Sequence, residues 1–269
     1  MCDEKMEDNN EPTLTSNFIV NITNKSVVKA STPPLPDPHI LAVSNLDLLS
    51  GRFPVTYLYF YLPVNIGHVT FESAVTSLKA SLSETLTHFY PFAGRIVHND
   101  NTGEPEIFCD NSGALVLEAS ADVRLREVDL CNLGSILQGK LVASLAQLDS
   151  HPMQVQVTKY ACGGLSLTFT FDHLLGDASA FGKFLTSWSE VARCKTMSCV
   201  PDHNRQRLKA RCPPTYHRSL DRTFVKCTLL EIDNIPTSTA LVKRLYHIDA
   251  SSRGSASGAG VVGRGDEED

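Results

Sequence analysis

One histidine of this chain stands where it could move a proton. The stretch "LSLTFTFDHLLGDASAFGKFLTSW" sets His173 four residues ahead of Asp177, where an alternating run hands over to a run of helical period. In the alternating part Leu165, Leu167, Phe169 and Phe171 share one parity, and Ser166, Thr168, Thr170 and Asp172 the other, so His173 falls on the apolar side. Burial disfavours the imidazolium and leaves a neutral ring, the form that accepts a proton as a general base. The same parity suits a core histidine hydrogen-bonded to backbone, and the residues alone leave both readings open. Asp177 stands where the helical run begins, and Asp is a good N-cap there. A His-x-x-x-Asp spacing is also cheap by chance in a chain with nine histidines.

The elements that must position this pair are legible on either side. "HPMQVQVTKYACGGLSLTFTFDH" reads as two strands joined through Gly163 and Gly164, with Met153, Val155 and Val157 on one parity. Ala178, Phe181, Phe184, Leu185, Trp188 and Val191 recur at helical spacing, so His173 sits in a strand-to-helix turn, and Gly176 would let that turn close tightly. Upstream, "VTYLYFYL" suits a strand. Phe71, Val75, Leu78, Leu82, Leu86 and Phe89 form the apolar stripe of a helix that Pro91 stops.

Composition excludes several classes. With 269 residues and 42% hydrophobic side chains the chain can bury a sizeable core. The net charge of −6 comes largely from "CDEKMEDNNE" near the start and "GDEED" at the finish, and nothing basic, aromatic or motif-like points to nucleic acid. No apolar run is long enough to span a membrane and the acidic N-terminus does not resemble a secretory signal, so a cytoplasmic location is expected. The eight cysteines are scattered without a Cys-x-x-Cys pair, which predicts reduced, mostly buried thiols. No Gly-x-Ser-x-Gly elbow, Walker loop or dinucleotide fingerprint occurs. A catalytic zinc needs a third protein ligand beside His173 and Asp177, and no motif places one, so no metal is expected.

"LSETLTHFYPFAGRI", the downstream "FDHLLGD" and the helix ending "FLTSWSEVAR" together resemble the plant BAHD acyl-CoA-dependent acyltransferases over roughly residues 17–252. The resemblance implies an α/β fold, a mixed sheet with covering helices of the chloramphenicol-acetyltransferase type, with an N-terminal domain and the start of a second. It implies transfer of an acyl group from acyl-CoA, a co-substrate and not a permanently bound cofactor, to a small-molecule alcohol or amine, by a monomer. His173 matches the family's catalytic base. Asp177 matches its structural motif aspartate, which commonly pairs with an arginine, and Gly176 belongs to the same motif. Coenzyme A contacts are not assigned.

The resemblance also divides the chain. It implies a polar leader at 1–16, the domain bearing the motif at 17–200, a basic crossover linker at 201–222 and the start of a second domain at 223–252. In the linker Arg205, Arg207, Lys209 and Arg211 could meet phosphate but read better as solvated. "FVKCTLLEI" and "ALVKRLYHI" read as strands of that second domain. Residues 253–269 read as a disordered Gly/Ser/acidic tail. The family's Asp-Phe-Gly-Trp-Gly motif is missing, because the one tryptophan is Trp188. A truncated member is therefore expected, active or reduced to a binding or regulatory fragment, with a metal-dependent hydrolase as the remote alternative.

Overall fold

Strands rich in branched and aromatic residues, and two long helices with an apolar stripe each, account for most of the structure. The computed structural model describes residues 13–32, 38–63, 70–137, 139–205 and 216–228. The contacts group Met1–Pro236 as one unit, and Thr237–Asp269 lies outside the described residues. In chain order the elements are β1 (Val20–Val28), β2 (His39–Leu41), α1 (Asn45–Ser50), β3 (Pro54–Tyr61), α2 (Phe71–His88), β4 (Arg95–His98), β5 (Pro105–Cys109), β6 (Ala114–Ala121), α3 (Leu133–Leu137), β7 (Met153–Tyr160), β8 (Leu165–Asp172) and α4 (Ala178–Ala192).

Five strands form the main sheet in the order β1-β6-β7-β8-β3. Only β6 and β7 run parallel, so the sheet is mixed. A parallel pair needs a long crossover, and residues 122–152 supply it, with α3 inside. A separate three-stranded sheet, β2-β5-β4, consists of strands of three to five residues that no period announces.

The odd parity of β7 and β8 faces the two long helices. Val155, Val157, Phe169 and Phe171 join Val75, Leu82 and Leu86 of α2 and Phe181, Phe184 and Trp188 of α4 in one buried cluster. At roughly 1.5–3 kcal/mol for each large side chain removed from water, this cluster is the main source of stability. The even parity is buried as well. Gln154, Gln156, Thr158, Ser166, Thr168, Thr170 and Asp172 are at most 2% exposed, because the crossover brings a second apolar cluster over that face, with Ile136 and Leu141 in it.

Thr15, within the expected polar leader at 1–16, forms an isolated bridge with Val128 through two backbone hydrogen bonds to residues 127 and 129. Several expectations need correction. Of the six described cysteines only Cys109 is buried, and burial pushes its thiol up to about 12. Cys131, Cys194 and Cys227 are exposed. Residues 224–228 form no strand and are exposed. Residues 1–12, the linker residues 206–215, the rest of the expected second domain and the tail lie outside the described residues.

Candidate active site

β8 ends at Asp172, and its ladder with β3 runs one step further, because the His173 N–H donates to the Phe53 carbonyl at 3.0 Å. A single 3-10 turn, His173–Leu175, then redirects the chain into α4. His173 is half-buried and its imidazole stacks on the Phe53 ring, with centroids 4.5 Å apart and planes 24° from parallel. Neither of its ring nitrogens has a hydrogen-bond partner among the described residues. The ring faces a cleft of about 640 Å³ bordered by Phe92, Leu175, Asp177, Lys183, His203 and Arg205. This is the helix side of the sheet, as the parity of Phe171 and His173 requires. A second groove of about 500 Å³ lies between Tyr59 and Tyr61 of edge strand β3 and the last turns of α4, and shares no residue with the cleft.

The aspartate beside the histidine carries more of the local structure than the motif aspartate. Asp172 is 1% exposed, and Arg52 reaches one of its oxygens through Nε at 3.0 Å and a terminal nitrogen at 2.7 Å. The other oxygen accepts the Leu174 N–H at 2.9 Å, so the same carboxylate caps the turn. Arg52 also pairs with the exposed Asp149. Burial opposes the Arg52 charge, but its bonds to Asp172 and Asp149 outweigh that and raise its pKa above the ordinary guanidinium value. Asp177 is exposed, and its Oδ1 accepts the Ala180 N–H at 2.8 Å as the N-cap of α4. The arginine partner expected for Asp177 is not found: among the described residues no ion pair includes it.

Gly176 adopts an extended backbone, φ 167° and ψ 166°, open to any residue. Glycine is needed there for a different reason, since a Cβ would stand 2.7 Å from the Ala180 Cβ. Arg205, read from the sequence as a solvated linker residue, is engaged: it donates to the Leu174 and Leu175 carbonyls and pairs with Asp47. The other three basic residues of that run lie outside the described residues. Among the described residues no three His, Cys, Asp or Glu side chains gather as metal ligands. Nor is any described helix long and apolar enough to cross a membrane.

The structure brings His173, Gly176 and Asp177 together in one turn, as their spacing requires, and sets beside them Arg52, Phe53 and Asp172, to which the sequence reading gave no part in the site. The sequence carries only part of the signal: a buried carboxylate needs a cation, but alternation does not show that the face bearing Asp172 is covered.

The family model described as Transferase family matches residues 18–253. The chain belongs to the plant BAHD acyltransferase family. Among its BAHD relatives is the baccatin III:3-amino-3-phenylpropanoyltransferase of Taxus cuspidata, 35% identical over 71% of this chain and 43% of that protein. The fatty alcohol:caffeoyl-CoA acyltransferase of Arabidopsis thaliana is 30% identical over 75% of this chain and 48% of its own length. The structure is similar to that of the BAHD member vinorine synthase, with a TM-score of 0.57 and 25% identity, over 69% of this chain and 46% of that one. The chain thus spans less than half the length of these BAHD proteins. The mixed sheet with covering helices is the expected architecture.

Proposed function

We propose that this protein transfers an acyl group from an acyl-CoA thioester to a hydroxyl or amine of a plant specialised metabolite, with His173 as the general base. The observation that carries the reading is a half-buried imidazole at a strand end, facing a cleft, with ring nitrogens that bond to nothing else among the described residues. The family and the caffeoyl-CoA donor in one relative's name support the donor class. In the reaction the neutral ring takes the proton of the acceptor O–H or N–H as that atom attacks the thioester carbonyl. The C–S bond then breaks, and the imidazolium returns its proton to the departing thiolate. The products are the ester or amide and free coenzyme A, and no acyl-enzyme forms.

Residues 17–200 carry the base in this reading, 201–222 form the crossover and 223–252 begin a second domain. The protein acts in the cytoplasm as a monomer, with no permanently bound cofactor. Asp177 and Gly176 serve the fold of the turn and do not touch the reacting atoms. The test follows coenzyme A release with a thiol reagent, using caffeoyl-CoA and a panel of alcohols and amines. His173→Ala should lower turnover by about 10²- to 10⁴-fold with little change in melting temperature. Undiminished turnover in that variant would remove His173 from the chemistry.

A further inference from the structure

The turn that presents His173 is held from both sides by guanidinium groups. Upstream, Arg52 grips the Asp172 carboxylate, which caps the turn. Downstream, the Leu174 and Leu175 carbonyls end the 3-10 turn, where carbonyls have no partner inside the turn itself. Both residues are buried, at 1% and 3% exposure, so water is a poor substitute. One terminal nitrogen of Arg205 donates to the Leu174 oxygen at 3.2 Å and the other to the Leu175 oxygen at 2.8 Å. The first nitrogen also pairs with Asp47 at 3.2 Å. Asp47 is itself fixed in the capping box of α1, where it accepts from the Ser44 N–H and hydroxyl.

Arg205 lies beyond α4, and the chain that brings it back is anchored along the way. The Ser198 N–H donates to Glu190 at 2.8 Å, the Ser187 hydroxyl to the Cys199 carbonyl at 3.4 Å, and the His203 Nε2–H to the His88 carbonyl at 2.8 Å. The guanidinium therefore reaches the turn from a tethered segment, and its side chain is only 18% exposed.

We infer that Arg205 is a positioning residue for His173, fixing the turn against α1 so that the imidazole keeps its place in the cleft. The inference rests on the proposed role of His173 for its catalytic consequence, though not for its geometry. Lysine cannot replace the fork, because one ammonium does not span two carbonyls and a carboxylate from one plane. A base displaced by about 1 Å can lose roughly 100-fold in rate, which gives a peptide brace catalytic weight.

The test uses the 269-residue chain and does not depend on turnover. Amide hydrogen exchange of residues 173–177 and the NMR signal of the His173 Cε1–H are compared in wild type, Arg205→Ala, Arg205→Lys and Asp47→Asn. Arg205→Ala should speed exchange in the turn roughly tenfold or more and move the imidazole signal, leaving β6 and β7 protected. Millimolar guanidinium should restore both, and Arg205→Lys should fall between. Should Arg205→Ala fail to fold, Arg205→Lys carries the same comparison. A turn that exchanges at the wild-type rate with an unmoved imidazole signal overturns the inference. In the acyl-transfer assay, Arg205→Ala should lower kcat by roughly 10- to 100-fold with KM little changed. Full turnover in Arg205→Ala beside a dead His173→Ala overturns the brace alone. Full turnover in His173→Ala overturns the reading of the base and leaves the exchange data to decide the brace.

Discussion

The imidazole of His173 and the ring of Phe53 stack at 4.5 Å, and the same two residues are joined through backbone by the His173 N–H and the Phe53 carbonyl. The backbone bond survives any side chain at 53, so substitution isolates the ring. Phe53 is 46% exposed, and its removal should cost little stability. Stacked aromatic pairs contribute about 0.5–1.5 kcal/mol beyond burial. Phe53→Ala should therefore lower acyl transfer by up to about tenfold with a nearly unchanged melting temperature, and Phe53→Tyr should retain the rate. Equal kcat in Phe53→Ala and wild type would show that the stack does not orient the base.

The two aspartates flanking His173 should differ sharply in stability. Arg52→Met leaves the buried Asp172 carboxylate without its cation, and breaking a buried pair this way costs about 3–5 kcal/mol. Among the described residues the Asp177 carboxylate does no more than cap α4, so Asp177→Ala should cost about 1 kcal/mol, and Asp177→Asn, an equally good cap, close to nothing. Urea melts of the three variants check the ranking. A large loss in Asp177→Asn would mean that the carboxylate has a charged partner outside the described residues.

What the sequence disclosed and what it withheld divide by distance along the chain. The β7–β8 hairpin, the stripes of α2 and α4, the turn at His173 and the cap at Asp177 are set by neighbours a few residues apart, and period and turn chemistry report them. Arg52 and Asp172 lie 120 residues apart, and no local pattern says which of many arginines meets a buried carboxylate. Arg205 looked solvated because a charge run carries no mark of being folded back. The burial of the Thr and Ser row of β8 was equally hidden, since alternation tells the two faces apart but not what covers them.

Acid should loosen the segment that carries Arg205. Burial lowers the His203 pKa, and the Arg205 charge adds to this, against the His88 carbonyl and Asp202, which favour the charged ring. The unfolded chain takes up its proton near pH 6.5 and the folded chain only below that. Below about pH 6.5 the unfolded state therefore binds more protons and stability falls as pH drops, whereas above it this group contributes no slope. Melting temperatures between pH 8 and 5 should fall more steeply for wild type than for His203→Gln, whose amide can still donate to the carbonyl. Identical profiles would show that His203 is not desolvated as the fold requires.

The closest approach in the turn supplies a paired test of why glycine stands at 176. Its φ of 167° permits any residue, so strain in the backbone is not the issue. A methyl group placed there meets the Ala180 Cβ at 2.7 Å, closer than carbon atoms tolerate, and Ala180 is fixed in the first turn of α4. Gly176→Ala must push the helix start away from the turn, and overpacking of this kind costs about 1–3 kcal/mol. Ala180→Gly alone costs up to about 1 kcal/mol of helix propensity. In the double variant the collision is gone and the propensity cost remains, so it should be more stable than Gly176→Ala alone, despite carrying two changes. Denaturant midpoints of the two single variants and the double decide the matter. Additive losses would place the need for glycine in the backbone and not in the contact with Ala180.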